Sequence, residues 1–476
     1  MAQKSNESNF KVIIVGGSVA GLTLANALSR YNIDFLVLES RAEVSPPLGA
    51  AVCLMSHGTR ILDQMGMLDD ITQSIAPIGV FYTWQDNGRL LSKLDTPKVL
   101  QTRYGYPIGW IERRRLLQIL FDHICEKEKV LLRKKFIGAE HSAEGIIVHC
   151  SDGSSFKGTI IIGADGVHST VRSSMWSHMK DDGLEAILSK DATAMTSQFS
   201  CVYGVSRAIV GIEDGIAHRT LGRGFSFLLT PGTKGLIYWF LFAKMERTYQ
   251  SLHIPRFNKD ELEAHIGRYF EQEVAPNIRL KTVYHESISC HYAPLEEATY
   301  EYWTWKRFAC IGDSIHKMTP NLGLGANTAI ENAASLANCI ASILELETAT
   351  CLSLGAIDVH LSSWASGRQS RTEEICLGSN ILTRFETLAT WRHKVIALYV
   401  MPHLGDVIGN ILSHVIVRSE GLDPSFLPKG SLVNAMPFID LDQRAKGSEC
   451  NHVNISHALG LRLRSITLHC MRKYWA

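Results

Sequence analysis

Four short stretches of this chain carry residue types whose spacing suits an anionic nucleotide. The first is Val15-Gly16-Gly17-Ser18-Val19-Ala20-Gly21, a glycine-rich turn between an apolar run and a segment of helical character. Glycines there let the backbone approach a pyrophosphate, whose charge then faces the free N–H groups of the helix N-terminus. Ser18 stands where the second glycine of G-x-G-x-x-G usually stands. A serine fits at that point only with a negative φ, and its hydroxyl can then reach phosphate. Glu39 ends the next apolar run, where an acid accepts hydrogen bonds from ribose hydroxyls. In the third stretch, Gly163-Ala164-Asp165-Gly166, Asp165 reads equally as a turn and cap residue or as a nucleotide contact. In the fourth, Gly312-Asp313 again puts an acid at the end of an apolar run, suited to ribityl or ribose hydroxyls. Pro320 to Asn327 follows, with Gly323, Gly325 and Ala326 at a helix start whose N–H groups can stabilise negative charge.

Taken in this order, the four stretches describe FAD held between an N-terminal nucleotide fold and a late helix. Only one dinucleotide turn is present, so NAD(P)H is expected to act as a transient co-substrate. The nineteen histidines show no H-E-x-x-H or other ligand spacing, and no metal is expected.

The elements that must position these residues follow from hydrophobic pattern. Lys11 to Val15, a helix from Leu22 to Tyr31 and Asp34 to Glu39 make a β-α-β unit whose strands are buried on both faces. Helices are expected over His57 to Ile71 and Glu112 to Lys127, and strands over Ile146 to Cys150 and Thr159 to Ile162. From about Gln198 the texture becomes β-rich: Ser200 to Val210, Gly224 to Thr230 and Gly235 to Lys244, the last two joined by Pro231-Gly232-Thr233-Lys234. A helix over Lys259 to Glu271, a strand over Phe308 to Ile311 and a helix over Asn327 to Glu347 complete the set. The expected fold is α/β: a split, Rossmann-like FAD-binding domain (1–190 and 301–380), an inserted, mainly antiparallel β-sheet substrate domain (191–300) and a helical C-terminal region (381–476).

Composition is ordinary: 46% hydrophobic, 20% charged, formal net charge +1, which argues against nucleic-acid binding and disorder. Eleven cysteines without a CxxC pair point to reduced thiols in an intracellular, cytosol-facing protein. The polar stretch Met1 to Phe10 has no h-region, so no secretory signal peptide is expected.

The glycine turn, Arg113 within Ile111-Glu112-Arg113-Arg114-Arg115-Leu116-Leu117, Tyr238-Trp239-Phe240, Lys317-Met318-Thr319-Pro320-Asn321 and Met401-Pro402-His403-Leu404-Gly405-Asp406 together carry a resemblance. From about residue 10 to 430 the chain resembles single-component FAD-dependent monooxygenases of the aromatic hydroxylase type. It is most similar to the fungal subgroup that epoxidises prenyl chains of meroterpenoids and indole diterpenes. That resemblance implies FAD contacts by Glu39, Arg113, Asp313 and Ala326 and by the segment Gly49 to Cys53. It further implies O2 activation as a flavin C4a-hydroperoxide and epoxidation of an alkene on the prenyl chain of a lipophilic secondary-metabolite intermediate. Cys53 and Leu324 depart from the subgroup, which often has glycine and a polar residue there. Two alternatives stay open: ring hydroxylation of an aromatic or polyketide substrate on the same scaffold, and a flavin-dependent reductase or oxidase without oxygen transfer.

For the substrate wall, Tyr203, Arg207, Tyr238, Phe240 and Phe242 lie on the β-rich runs, the last three alternating onto one face. Tyr238 and Arg207 are the candidate catalytic residues, with ordinary sheet core as the competing reading. In Val395 to Val417, twelve Val, Ile or Leu residues favour membrane insertion, but Pro402, His403, Asp406, Asn410 and His414 offset them. An amphipathic packing helix is expected there instead. In the tail, Ile455, Leu459, Leu463, Ile466 and Cys470 share a helical face beside Arg462, Arg464, Arg472, Lys473 and Trp475. Such a face either lies in a membrane interface, of endoplasmic-reticulum type, or docks on the protein.

Overall fold

The computed structural model describes residues 10–46, 51–346, 353–423, 436 and 438. The chain divides into two compact units, Met1–Pro437 and Phe438–Ala476, and of the second only Phe438 is described. The tail stripe from Ile455 to Cys470 and residues Gly49 and Ala50 therefore lie outside the described residues.

Two sheets organise the first unit. Apolar runs too short to be helices and flanked by glycines become the strands of a buried parallel sheet. Its six strands run in the order Thr304–Trp305, Phe308–Cys310, Ile160–Gly163, Lys11–Val15, Asp34–Leu38, Val130–Leu131. All pairs are parallel except the edge strand Thr304–Trp305. Register places Val15 beside both Leu38 and Gly163. The three strand ends that carry the glycine turn, Glu39 and Asp165 thus open at one edge, the usual ligand side of such a sheet. The helix Val19–Arg30 covers one face together with the 22-residue helix Gly325–Leu346, whose inner surface is alanine and isoleucine.

The second sheet has eight strands in the order His316–Lys317, Ser287–Thr299, Thr196–Ser206, Ile237–Gln250, Phe225–Pro231, Ile216–Gly222, Val80–Gln85, Leu90–Leu94. Only the Ile216–Gly222/Val80–Gln85 pair is parallel. Its outer face buries Val202, Phe227, Trp239 and Leu241 against the Lys259–Gly267 and Leu280–His285 helices. This arrangement modifies the expected boundaries. The sheet is not contained in 191–300: it takes Val80–Gln85 and Leu90–Leu94 from the first segment and His316–Lys317 from the later one. The limit at 380/381 falls inside a continuous 33-residue helix, Leu354–Glu386. The expected His57–Ile71 helix is two, Ser56–Gln64 and Leu68–Ser74, broken at Gly66 with φ +79°.

The long helix is tied down by charge. Glu331, fully buried, receives Arg368 Nη1 at 2.7 Å and Arg371 Nε at 2.7 Å with Nη2 at 2.9 Å. Burial alone would raise the Glu331 carboxyl, but the two guanidiniums hold it far below its ordinary value. The segment Ser419–Asp423 closes over the same place: the Glu420 N–H donates to Glu331 at 3.0 Å, and Gln64 brackets Leu422 from both sides.

Candidate functional site

The glycine turn has the geometry a pyrophosphate needs. Gly16 adopts φ +107°, and a Cβ there would stand 2.4 Å from the Ala164 carbonyl oxygen. At Gly21 a Cβ would fall 1.9 Å from the Gly16 carbonyl oxygen, so only glycine lets turn and helix approach this closely. Ser18 has φ −104°, the negative value a serine requires, and precedes the helix without capping it. The first-turn N–H groups are therefore left to face an anion. The Ser18 hydroxyl oxygen accepts from Arg113 Nη2 at 2.7 Å, leaving its own proton to donate.

Glu39 is buried at the end of its strand. Its carboxylate accepts from the Gly17 N–H at 2.7 Å, the Arg41 N–H at 2.8 Å and the Ser40 hydroxyl at 3.2 Å. Carboxylate oxygens have further lone pairs, so ribose hydroxyls can still be accepted. Asp313 forms an ion pair with Lys317. Burial pushes the Asp313 carboxyl up, but Lys317, helped by His316 and Arg113, brings it below the usual carboxylate range. Lys317 in turn is pushed down by burial and raised overall by Asp313.

These residues line one cavity of about 720 Å³, large enough for a cofactor. Gly16, Ser18, Glu39, Cys53, Arg113, Asp165, Asp313, Gly325 and Ala326 all border it. Arg41, Arg113, Lys135 and Lys317 border it with three carboxylates, Glu39, Asp165 and Asp313, while Lys134, also on the lining, is paired with Asp152 at 2.5 Å. That surplus of positive charge suits a doubly charged pyrophosphate. The uncapped glycine cradle, the buried acid at the end of the next strand and the cationic surplus fit FAD.

Two residues play parts that sequence pattern left ambiguous. The Asp165 carboxylate takes the Ser169 hydroxyl at 2.5 Å and the Thr170 and Val171 N–H groups at 2.7 and 3.1 Å, so it organises the start of the Thr170–Asp181 helix while bordering the cavity. Cys53 offers no thiolate: burial pushes its thiol up to about 12. Its backbone is the useful part, paired with Trp110 across antiparallel strands.

Tyr238 and Arg207 are not among the cavity-lining residues. Tyr238 shares a sheet face with Phe240 and Phe242 but lies one step further on, where its ring meets the Gly232 turn. It is fully buried, its hydroxyl finds no well-aligned partner among the described residues, and burial pushes it up to about 12. Arg207 follows the end of its strand, 68% exposed, with Glu286 as a distant ion-pair partner at 4.0 Å. Tyr203 sits close enough to Arg113 and Lys317 for both to act on its hydroxyl.

Trp110, Leu228, Phe240 and Phe242 give the cavity an apolar wall. Phe240 and Phe242 lie parallel with centroids 6.0 Å apart, and Trp110 meets Phe240 at 5.5 Å. Trp110 and Leu228 escaped the sequence reading. Trp110 stands three residues before Arg113, and nothing local announces that its strand borders the cavity. Asn327 is a further find: fully buried, it accepts from the Met55 N–H and donates to the Cys53 and Gly323 carbonyls, each at 2.9 Å. It fastens the late helix to the Ala51–Leu54 strand, and so sets the width of the cavity.

Residues 9–352 match the family model described as FAD binding domain. The FAD-dependent monooxygenase BOA8 of Botryotinia fuckeliana is 39% identical over 442 residues, covering 92% of this chain and 52% of that protein. The chain thus spans about half the length of this relative. The FAD-dependent monooxygenase olcE of Penicillium canescens is 35% identical over 439 residues, covering 92% of this chain and 94% of that one. Among solved structures, Klebsiella pneumoniae HpxO complexed with FAD and uric acid superposes with a TM-score of 0.69 at 20% identity, covering 86% of this chain and 97% of HpxO. That likeness is one of fold.

Proposed function

This chain belongs to the FAD binding domain family and to its FAD-dependent monooxygenases, and we propose that it uses NAD(P)H and O2 to epoxidise an alkene on the prenyl chain of a lipophilic fungal secondary-metabolite intermediate. Bound FAD supplies the electron storage and O2 activation that no side chain provides. The observation carrying the substrate reading is the wall of Trp110, Leu228, Phe240 and Phe242, which contains no ionisable group. Such a wall excludes water and accommodates an apolar chain, and an electron-rich alkene needs no base to react with an electrophilic oxygen.

The other residues act by holding and excluding. Glycine turn, Arg113 and Glu39 would bind the dinucleotide; Asp313, fixed by Lys317, would take the ribityl or ribose hydroxyls; the Gly325–Ala326 helix start would face negative charge. Membrane association of the C-terminal region, at an endoplasmic-reticulum-type membrane, belongs to the same proposal. No single described helix is long and apolar enough to cross a membrane. Trp391–His403 and Val407–Val417 pass that test only jointly, bent by 92°.

The test is incubation of the purified, FAD-loaded chain with NADPH and a panel of prenylated polyketides and indole diterpenes, with product structures determined. An oxirane on the prenyl chain is expected. A new phenolic hydroxyl with the prenyl alkenes intact would replace this reading with ring hydroxylation.

A further inference from the structure

Fourteen large apolar side chains are exposed among the described residues, and four fall within ten positions: Trp391 (72%), Val395 (45%), Tyr399 (60%) and Val400 (45%). Scattered exposure needs no explanation, whereas a cluster does. The helix Trp391–Val395 runs directly into a π-helical turn, Ile396–Val400. Spacings of four and then four or five residues across that change keep the exposed side chains on one side. Ala397 and Leu398 point the other way, buried with Leu221 and Leu388 beside Leu91, Phe385 and Met401. The exposed face is therefore mounted on the substrate sheet through Leu221.

Within residues 387–405 every charged side chain is basic. Arg392 and Lys394 are exposed, and the Arg392 guanidinium lies 5.6 Å from the Trp391 ring centre. Lys244 joins them, its ammonium donating to the Ala389 carbonyl at 3.3 Å. No acid occurs between Glu386 and Asp406. A second copy docked on this face by a two-fold axis would set these cations against their own kind. Exposed Trp and Tyr beside basic residues match the headgroup layer of an anionic bilayer.

We propose that Trp391–Val400 is a membrane-docking face, with Trp391, Val395, Tyr399 and Val400 entering the interface of a bilayer that carries anionic lipid. Lys244, Arg392 and Lys394 meet the headgroups. This rests on the membrane reading above and moves the contact from the tail to a helix seated on the substrate sheet, where a lipophilic substrate would be drawn from the bilayer.

The test is flotation of the full-length, FAD-loaded protein with vesicles of phosphatidylcholine alone or with phosphatidylserine. The parent should float with the anionic vesicles and far less with the neutral ones. The double variant Trp391→Ser/Tyr399→Ser should lose affinity by about tenfold or more, and Arg392→Gln/Lys394→Gln should lose the dependence on phosphatidylserine. Val210→Ser/Leu252→Ser, exposed elsewhere, should behave as the parent. Retained flavin absorbance certifies the fold of each variant. If the Trp391/Tyr399 variant floats as the parent does, binding runs through the tail: the membrane reading survives and this face does not. A parent that floats with neither vesicle overturns both. Conversion from dimer to monomer by the same variant, without vesicle binding, would make the face a contact between copies.

Discussion

Asp313 and Glu39 are both acids at strand ends, yet their surroundings assign them different work. Glu39 already satisfies the Gly17 and Arg41 N–H groups, so it shapes the turn as well as bordering the cavity. Asp313 has a flexible partner, Lys317, and borders the cavity. Replacing it removes a charged acceptor that hydrogen-bonds at about 1.5–3 kcal/mol. Asp313→Ala should therefore weaken FAD binding by about tenfold or more, read as flavin absorbance per protein during titration with FAD. Tyr238→Phe deletes a buried hydroxyl that has no well-aligned partner, and should keep parent-like FAD content and stability. Equal FAD affinity in Asp313→Ala and the parent would remove Asp313 from the site. Ser18 was legible in sequence because its requirement is local: a negative φ, met at −104°. Trp110 and Asn327 were not, since each acts through partners brought in by folding. Asn327 reaches Met55 and Cys53, more than 270 positions away in the chain.

At the scale of elements, the Ile237–Gln250 strand and the Leu354–Glu386 helix matter most. The strand's alternation was readable, and Phe240 and Phe242 indeed face one way; which residue of the row reaches the cavity depends on where the sheet is placed, and Tyr238 falls beyond it. Phe240→Ala should open the substrate wall while leaving the glycine turn untouched. The expected result is a raised KM for a prenylated substrate with unchanged FAD content; a loss of FAD instead would mean the ring supports the cofactor side. The long helix was missed because its buried face is polar: Arg368, Arg371, Thr372, Ser379, Thr383 and Glu386 interrupt any hydrophobic stripe. Their partners explain the burial. Glu331→Gln would leave Arg371 without its buried counter-charge and Arg368 with only Glu420 at 3.7 Å, and should cost about 3 kcal/mol of unfolding free energy. The folded Glu331 carboxyl sits below its ordinary value near 4.5. Its contribution is thus full above that value and fades as pH falls through the lower folded one. Denaturant titrations of parent and variant should converge in stability as the solution is acidified; a constant difference down to strongly acidic pH would contradict the assignment.

For the whole molecule, sequence order misled where the chain crosses between layers. Each part of the split nucleotide domain carries its own glycine and acid markers, and those survive in space as the lining of one cavity. The substrate sheet carries no such markers in Val80–Gln85 and Leu90–Leu94, which join it from the far side of the first segment. The result is one cavity bordered by charged and glycine residues from the nucleotide domain and by aromatic residues from the substrate sheet. The first group fits a dinucleotide; the proposed function assigns the second to an apolar chain. The proposed function requires that oxygen pass to a substrate held there. Its most direct test is turnover of a prenylated acceptor under oxygen-18 gas by the FAD-loaded protein, with product mass and NAD(P)H consumption measured together. One labelled oxygen atom in the product is expected for each NAD(P)H consumed in coupled turnover. Conversion of the acceptor to a product without label would contradict it.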